Sequence, residues 1–307
     1  MAKNWALVSR RDALRRRATL LQAIRSFFAD RGYLEVETPH RIPAPAPESY
    51  IDAVPSGDWF LHTSPELCMK RLLAAGYEKI FQVCRCWRQD ERGSFHHPEF
   101  TLLEWYRLNG DYRDLMEECE SLLQSIAIRI GSGERLSFRR LEINLSSPWE
   151  RISVREAFER FSSIPMEEAL KKDRFDELMV QEIEPRLGRE KPAFLYDYPA
   201  ERGALARLKR DDPTLAERFE LYIGGLELAN AFSELNDPQE QRSRFLSEEA
   251  YRRSLKKLPY PIPENFLKEL EDMPPAAGIA LGVDRLAMVF LDANTIDEVI
   301  AFTQEEL

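Results

Sequence analysis

Phe81-Gln82-Val83-Cys84-Arg85-Cys86-Trp87-Arg88, then a charged loop, then Phe100-Thr101-Leu102-Leu103-Glu104-Trp105-Tyr106 read as two strands around a turn. The outgoing strand delivers an arginine, Arg88, at its end, and the loop carries Asp90, Glu91, Arg92, Gly93, His96 and His97. Successive strand residues point to opposite faces, so Phe100, Leu102, Glu104 and Tyr106 share one face. An apolar floor with one carboxylate and one phenol, beside an arginine, can hold both a flat ring and an ammonium group. The stretch therefore predicts an antiparallel platform with a pocket for a nucleotide and an amine.

Working outward, the apolar stripe Leu14, Leu20, Leu21, Ile24 and Phe27-Phe28 predicts a basic helix from about Asp12 to Asp30, stopped by Gly32. A strand over Tyr33–Glu37 ends at Thr38-Pro39, and the proline-studded Arg41–Pro47 segment reads as an extended loop. Ser64-Pro65-Glu66 opens a helix, with serine as its cap and proline at the first helical position. Asp111 to about Ile130 is a further helix closed by Gly131. Residues 146–189 read as a mostly helical insertion in which Ser153 and Glu156 form a capping box. Arg218–Ile223, Gly224-Gly225 and Leu226–Asn230 predict a hairpin, and Gly278–Gly282 a strand leading into a helix. Antiparallel strands with helices kept to the sides define an α+β fold.

The chain has 307 residues, with 43 basic and 53 acidic side chains and a net charge of −10. That balance argues against bulk nucleic-acid binding. With no apolar run long enough to span a bilayer, the chain reads as cytoplasmic, with no membrane partner. The four cysteines do not read as a disulfide framework in a chain of this length. Cys84 and Cys86 share a strand face. His62, His96 and His97 do not stand at zinc-site spacing from them, so the two thiols read as small strand residues. The basic start of the first helix, Arg10-Arg11 and Arg15-Arg16-Arg17, reads as a solvated face or as a patch for an acidic protein partner or the acceptor stem of an RNA.

A two-residue Gly224-Gly225 loop sets Ile223 opposite Leu226, Tyr222 opposite Glu227 and Glu220 opposite Ala229. Glu220 and Glu227 are then diagonal neighbours, roughly 7–8 Å apart at the backbone. Such a pair needs a cation between its members or a raised pKa. Magnesium carrying a polyphosphate suits it, although the two acids alone also fit a solvated hairpin. Arg88 and Arg285 stand at element ends, where fixed guanidinium groups can stabilise charge developing on a phosphoryl group. Neither a Gly-x-Gly-x-x-Gly nor a phosphate-loop motif is present. Motifs for zinc peptidases and serine hydrolases are missing as well.

Gly32–Pro39, Phe81–Tyr106 and Gly278–Leu291 resemble motifs 1, 2 and 3 of the class II aminoacyl-tRNA synthetases. Thr63–Glu66 with Met69–Leu72, His96–Glu104 and Glu227–Leu235 resemble the lysyl branch. Ser64 and Ala280, at positions where lysyl-tRNA synthetases usually carry alanine and glycine, resemble the truncated paralogues that ligate (R)-β-lysine to elongation factor P. The resemblance implies one class II catalytic domain over 1–307, with a six- to seven-stranded antiparallel sheet, dimeric through motif 1. About eleven residues precede the first helix, so no anticodon-binding domain is expected and tRNA is disfavoured as a partner. ATP and Mg2+ are implied, with formation of an acyl-adenylate and transfer to a lysine of elongation factor P. By position, Arg88 and Arg285 would be catalytic, gripping ATP together with Asp90, His96, His97, Phe100, Glu227, Leu228, Asn230 and Gly282. Ser64, Pro65, Glu66, Glu104, Tyr106, Glu234 and Ala280 would bind the lysine-like substrate, and Glu220 and Glu227 the metal. Gln89-Asp90, His97 and Ala231 depart from the family pattern. Lysyl transfer to tRNA and a non-catalytic amino-acid-binding role remain the alternatives.

Overall fold

The structure, a computed structural model, describes residues 5–307; residues 1–4 of the expected 1–307 domain lie outside the described residues. Its centre is an eight-stranded sheet. The strands in chain order are β1 (Leu34–Glu35), β2 (Lys79–Trp87), β3 (Glu99–Leu108), β4 (Glu150–Ser153), β5 (Ala193–Pro199), β6 (Leu215–Ile223), β7 (Leu226–Ser233) and β8 (Ala276–Gly282). They are arranged β1-β2-β3-β8-β7-β6-β5-β4. The six central strands pair antiparallel, whereas β1 joins β2 and β4 joins β5 in parallel. The sheet thus exceeds the expected antiparallel set by two short edge strands. One of them, β4, comes from the segment expected to be mostly helical.

The strand periodicity sorts the two faces. Phe81, Leu103, Trp105, Phe219, Leu221, Ala231 and Ile279 point into the main core. There they meet helix α1 (Arg11–Ala29), α3 (Tyr112–Ile130) and α5 (Val283–Leu291), named with α2 (Glu66–Ala74) and α4 (Pro238–Ser254) in chain order. Phe28 of α1 stacks on Phe81 with ring centres 4.8 Å apart. Helix α3 begins at an Asp111 capping box with Asp114 and ends at left-handed Gly131, as its sequence predicts. Ser153 and Glu156 also form the predicted box. The Val154–Leu187 helices pack Phe158, Phe175 and Ile183 against Leu195 and Tyr222 in a separate core.

The basic start of α1 is largely turned onto the chain itself. Arg10 pairs with Glu306 at 2.6 Å, Arg16 donates to the Phe290 carbonyl, and Arg17 is buried. Elsewhere, fully buried Arg252 of α4 donates to the carbonyls of Glu48, Ile51 and Leu258 and to Asp52, and lies 4.0 Å from the Tyr260 ring centre. That arginine fastens the 48–52 segment to the body of the molecule.

Candidate active site

Opposite the main core, the sheet floor carries a cavity of about 380 Å³, within the usual range for small-ligand sites of roughly 300–1,000 Å³. Its long axis is set by strand register: Glu104 lies beside Ala280, which lies beside Asn230, which lies beside Glu220. The side chains of these four residues therefore point the same way. Gly278, beside Tyr106, is glycine for a steric reason. A Cβ there would meet Tyr106 Cε1 at 2.2 Å and Glu234 Oε1 at 2.3 Å.

The hairpin departs from its predicted register. Gly224 and Gly225 have φ of 59° and 76°, the left-handed pair that a tight two-residue turn requires. Ile223 then faces Leu226 and Tyr222 faces Glu227 as expected, but Glu220 faces Asn230 and not Ala229. The cause is a bulge that leaves Leu228 as the extra residue. In a regular strand Glu227 and Asn230, three residues apart, would point to opposite faces. The bulge brings both onto the cavity wall together with Glu220.

Arg88 follows β2 and is held at the ladder end by its N–H to the Pro98 carbonyl, 2.9 Å. Its guanidinium lies 4.9 Å from the Phe100 ring centre and 3.7 Å from Glu91. Nε is buried with no partner among the described residues. Arg285 stands in the first turn of α5, following Gly282, which lines the cavity. Arg285 donates to the Glu227 carbonyl (2.8 Å) and carboxylate (3.2 Å) and to the Phe95 carbonyl, and contacts His96 Nε2 at 2.6 Å. Its neighbour Asp284 also borders the cavity but is engaged by other partners. That carboxylate pairs with Arg17 at 2.6 Å and accepts the Thr101 N–H at 2.7 Å, and Arg17 also donates to Thr101 Oγ1 at 2.9 Å. This buried link locks α5 to the start of β3, so the spacing between Arg285 and Phe100 is fixed from behind.

Glu220 accepts from Arg218 (2.6 Å), Tyr198 (2.7 Å) and Tyr222 (2.6 Å). Burial pushes its carboxyl above the usual range, opposed by Arg218 and reinforced by Glu227. Arg218 also donates to Asn230. The sequence reading missed Arg218, although it sits two residues before Glu220 on the same strand face. The oxygen donors of Glu220 and Glu227 suit a hard divalent cation such as Mg2+.

At the other end Glu104 is buried, accepting from Ser64 Oγ at 2.6 Å and Tyr106 OH at 2.8 Å. Burial, then repulsion from Glu66, raises its pKa well above the ordinary carboxylate value. Ser64 does not form the predicted helix cap in full: α2 starts at Glu66, after Pro65. The Ser64 hydroxyl does accept the Glu66 N–H while its proton goes to Glu104. Behind this wall lies a pairing that sequence reasoning missed. Lys70 Nζ, fully buried, reaches both Glu66 and Glu234 at 2.5 Å. Burial pushes Glu234 up to about 8 while Lys70 pulls it back.

Arg88, Arg285, Glu220 and Glu227 thus border one cavity with Phe100, His96 and His97. Leu228, Asn230, Ser64, Glu66, Glu104, Tyr106 and Ala280 also line it. Asp90, Pro65 and Glu234 do not: Asp90 sits in the loop with φ of 60°, and Glu234 is sealed behind Gly278.

The family model described as tRNA synthetases class II (D, K and N) matches residues 7–306. The chain belongs to this class II synthetase family. It is 43% identical over 311 residues to a protein of Pectobacterium carotovorum subsp. carotovorum named elongation factor P–(R)-β-lysine ligase, covering 95% of each chain. Proteins of the same name from Vibrio cholerae and Erwinia tasmaniensis are 39% and 41% identical, covering 97% and 94% of each chain. The class II family accounts for the antiparallel centre of the sheet. Among the described residues no helix is long and apolar enough to cross a membrane.

Proposed function

We propose that the chain is an AMP-forming ligase that activates (R)-β-lysine with ATP and transfers it to a lysine side chain of elongation factor P. The carrying observation is that Arg88, Arg285, Glu220, Glu227 and a separate buried acidic end share one cavity. ATP enters as substrate, and its phosphates would lie between Arg88 and Arg285 with Phe100 under the base. Mg2+, held by Glu220 and Glu227, would neutralise polyphosphate charge when bound. The substrate carboxylate attacks the α-phosphorus, pyrophosphate leaves, and the acceptor amine then displaces AMP from the acyl carbon. No protein nucleophile takes part. The arginines and the strand floor hold the reactants in line, an effect worth about 7–11 kcal/mol when geometry is well set.

Glu66 and Glu104 would take the amino group nearest the carboxylate, with Ser64 and Tyr106 orienting Glu104. Tyr106 would face the distal ammonium, with Glu234, held behind Gly278 by Lys70, adding negative charge from outside the cavity. Ala280, between Glu104 and Asn230 in register, supplies a methyl where the substrate backbone would lie, a steric lever of only about 1 kcal/mol between the α- and β-amino isomers. The proposal includes one catalytic domain with residues 146–189 as an insertion, a homodimer through the motif 1 segment and a cytoplasmic location. It disfavours tRNA as acceptor on the net charge of −10. Incubation with ATP, Mg2+ and each lysine isomer, reading intact mass of elongation factor P and acylation of bulk tRNA, tests it. A mass increase on the protein factor with (R)-β-lysine is expected; label on tRNA alone would refute it.

A further inference from the structure

Cys84 and Cys86 lie on the cavity-side face of β2, opposite Leu102 and Phe100 in register, and pack against Leu102, Phe100 and Ala280. Neither thiol lines the cavity. Their sulfurs are 3.8 Å apart. His62, which follows the short strand Trp59–Leu61, is pinned beside them by its backbone: its N–H bonds the His40 carbonyl at 2.8 Å and its carbonyl accepts the Trp87 N–H at 3.0 Å. Its Nε2 stands 3.9 Å from Cys86 Sγ. One donor atom from each of the three residues lies within 4.8 Å of the others, and all three residues are buried. The ring of His40 is centred 5.3 Å from that of His62.

These distances can be set against a known geometry. Tetrahedral zinc with Zn–S of about 2.3 Å and Zn–N of about 2.0–2.1 Å separates two sulfurs by roughly 3.8 Å and sulfur from nitrogen by roughly 3.6 Å. The sulfurs already stand at that spacing; the imidazole is a few tenths of an ångström too far from Cys86 and lies within 4.8 Å of Cys84. We propose that His62, Cys84 and Cys86 form a binding site for one thiophilic divalent cation, Zn2+ by its chemistry, with His40 placed to supply the fourth donor after a side-chain rotation. The chain spacing hides this set because His62 reaches β2 from a different strand.

His62 Nε2 lies 2.7 Å from the Arg85 carbonyl; a bound cation would replace that contact. Binding would require both thiols to give up their protons to the solvent. Such a site would tie the His40 and His62 segments to the strand beneath Phe100, as a structural centre separate from the Glu220–Glu227 pair.

The test is a Co2+ titration of the reduced, chelator-stripped full chain in excess Mg2+, which occupies oxygen-donor sites. One equivalent is expected to give thiolate-to-cobalt charge-transfer absorption with tetrahedral d–d bands, bleached by Zn2+. C84S and C86S should lose the charge transfer in proportion and bind more weakly by over the roughly 10–100-fold typical of outer-shell changes. H62Q should shift the d–d bands, and E227Q should leave the spectrum unchanged. Circular dichroism of each variant, with C86A as a second replacement, separates loss of the site from loss of the fold. Absence of charge transfer at one equivalent, or its survival in the folded C84S/C86S double variant, would overturn the proposal. So would a Cys84–Cys86 disulfide in the reduced preparation, seen as a loss of two hydrogens by mass.

Discussion

At the Arg88–Arg285 end of the cavity, charged side chains border open space, and Arg285 is anchored mostly by backbone carbonyls and by His96. At the Glu104 end the charges are buried and already matched to one another: Lys70 bridges Glu66 and Glu234, and Glu104 is held by two hydroxyls. The first end is built to receive charge from outside with little rearrangement. The second is neutralised from within, so an arriving ammonium must compete with Lys70 and displace protons held by buried acids. On the proposed function, one end would serve electrostatic catalysis and the other discrimination, because buried groups left unpaired penalise the wrong ligand.

The contrast breaks most directly at Lys70. Lys70→Met leaves Glu66 and Glu234 without their shared cation and is expected to cost about 3–5 kcal/mol of stability, read by urea unfolding. The loss should be greatest at alkaline pH and shrink as pH falls and the orphaned carboxyls take up protons; a variant as stable as the parent at pH 8 would show the acidic end to be less sealed than its geometry states. Next comes Arg285→Ala, with Arg88→Ala beside it. Each is expected to lower ATP–pyrophosphate exchange about 10²–10³-fold with an unchanged unfolding midpoint. Normal exchange in both would remove them from the chemistry. Glu104→Gln should cost about 1.5–3 kcal/mol of binding, appearing as a higher KM for the amino acid with KM for ATP unchanged; equal rises in both would erase the distinction between the ends.

The smallest effect is a pH dependence. The raised pKa of Glu104 means that its ionised form, the one proposed to hold the ammonium, is lost as pH falls through that elevated value. KM for the amino acid should rise on acidification through that range, by up to about tenfold per unit for the one proton linked, while KM for ATP stays flatter. A KM that fell on acidification would contradict the assignment.

The platform was legible because β2, β3 and the Gly224-Gly225 hairpin carry local signals: period-two alternation and a turn only glycines make easily. That alternation placed Phe100, Glu104 and Tyr106 on one face and Arg88 at the end of the outgoing strand, while the roles expected of all four came from the resemblance to the class II synthetases. What escaped was non-local. The bulge at Leu228 changes which residue faces Glu220 without any mark in composition. Lys70 meets Glu234 across more than 160 residues of chain. Arg17 reads as one more surface arginine in a basic run, yet its partner is Asp284 from the far end of the sequence. Strand β4 was hidden because parallel edge pairing needs only four residues and leaves no turn signature.

The five-way grip of Arg252 bears on how a second, bulky reactant could enter. Glu48, Ile51 and Asp52 are moored to helix α4 through it. The Gln89 N–H bonds the Asp52 carbonyl at 2.7 Å, so the 89–98 turn is tied to that same lip at its start and to Arg285 through the Phe95 carbonyl and His96. A bulky reactant would therefore meet a mouth braced on both margins, and widening it would disturb the contacts of Arg285 itself.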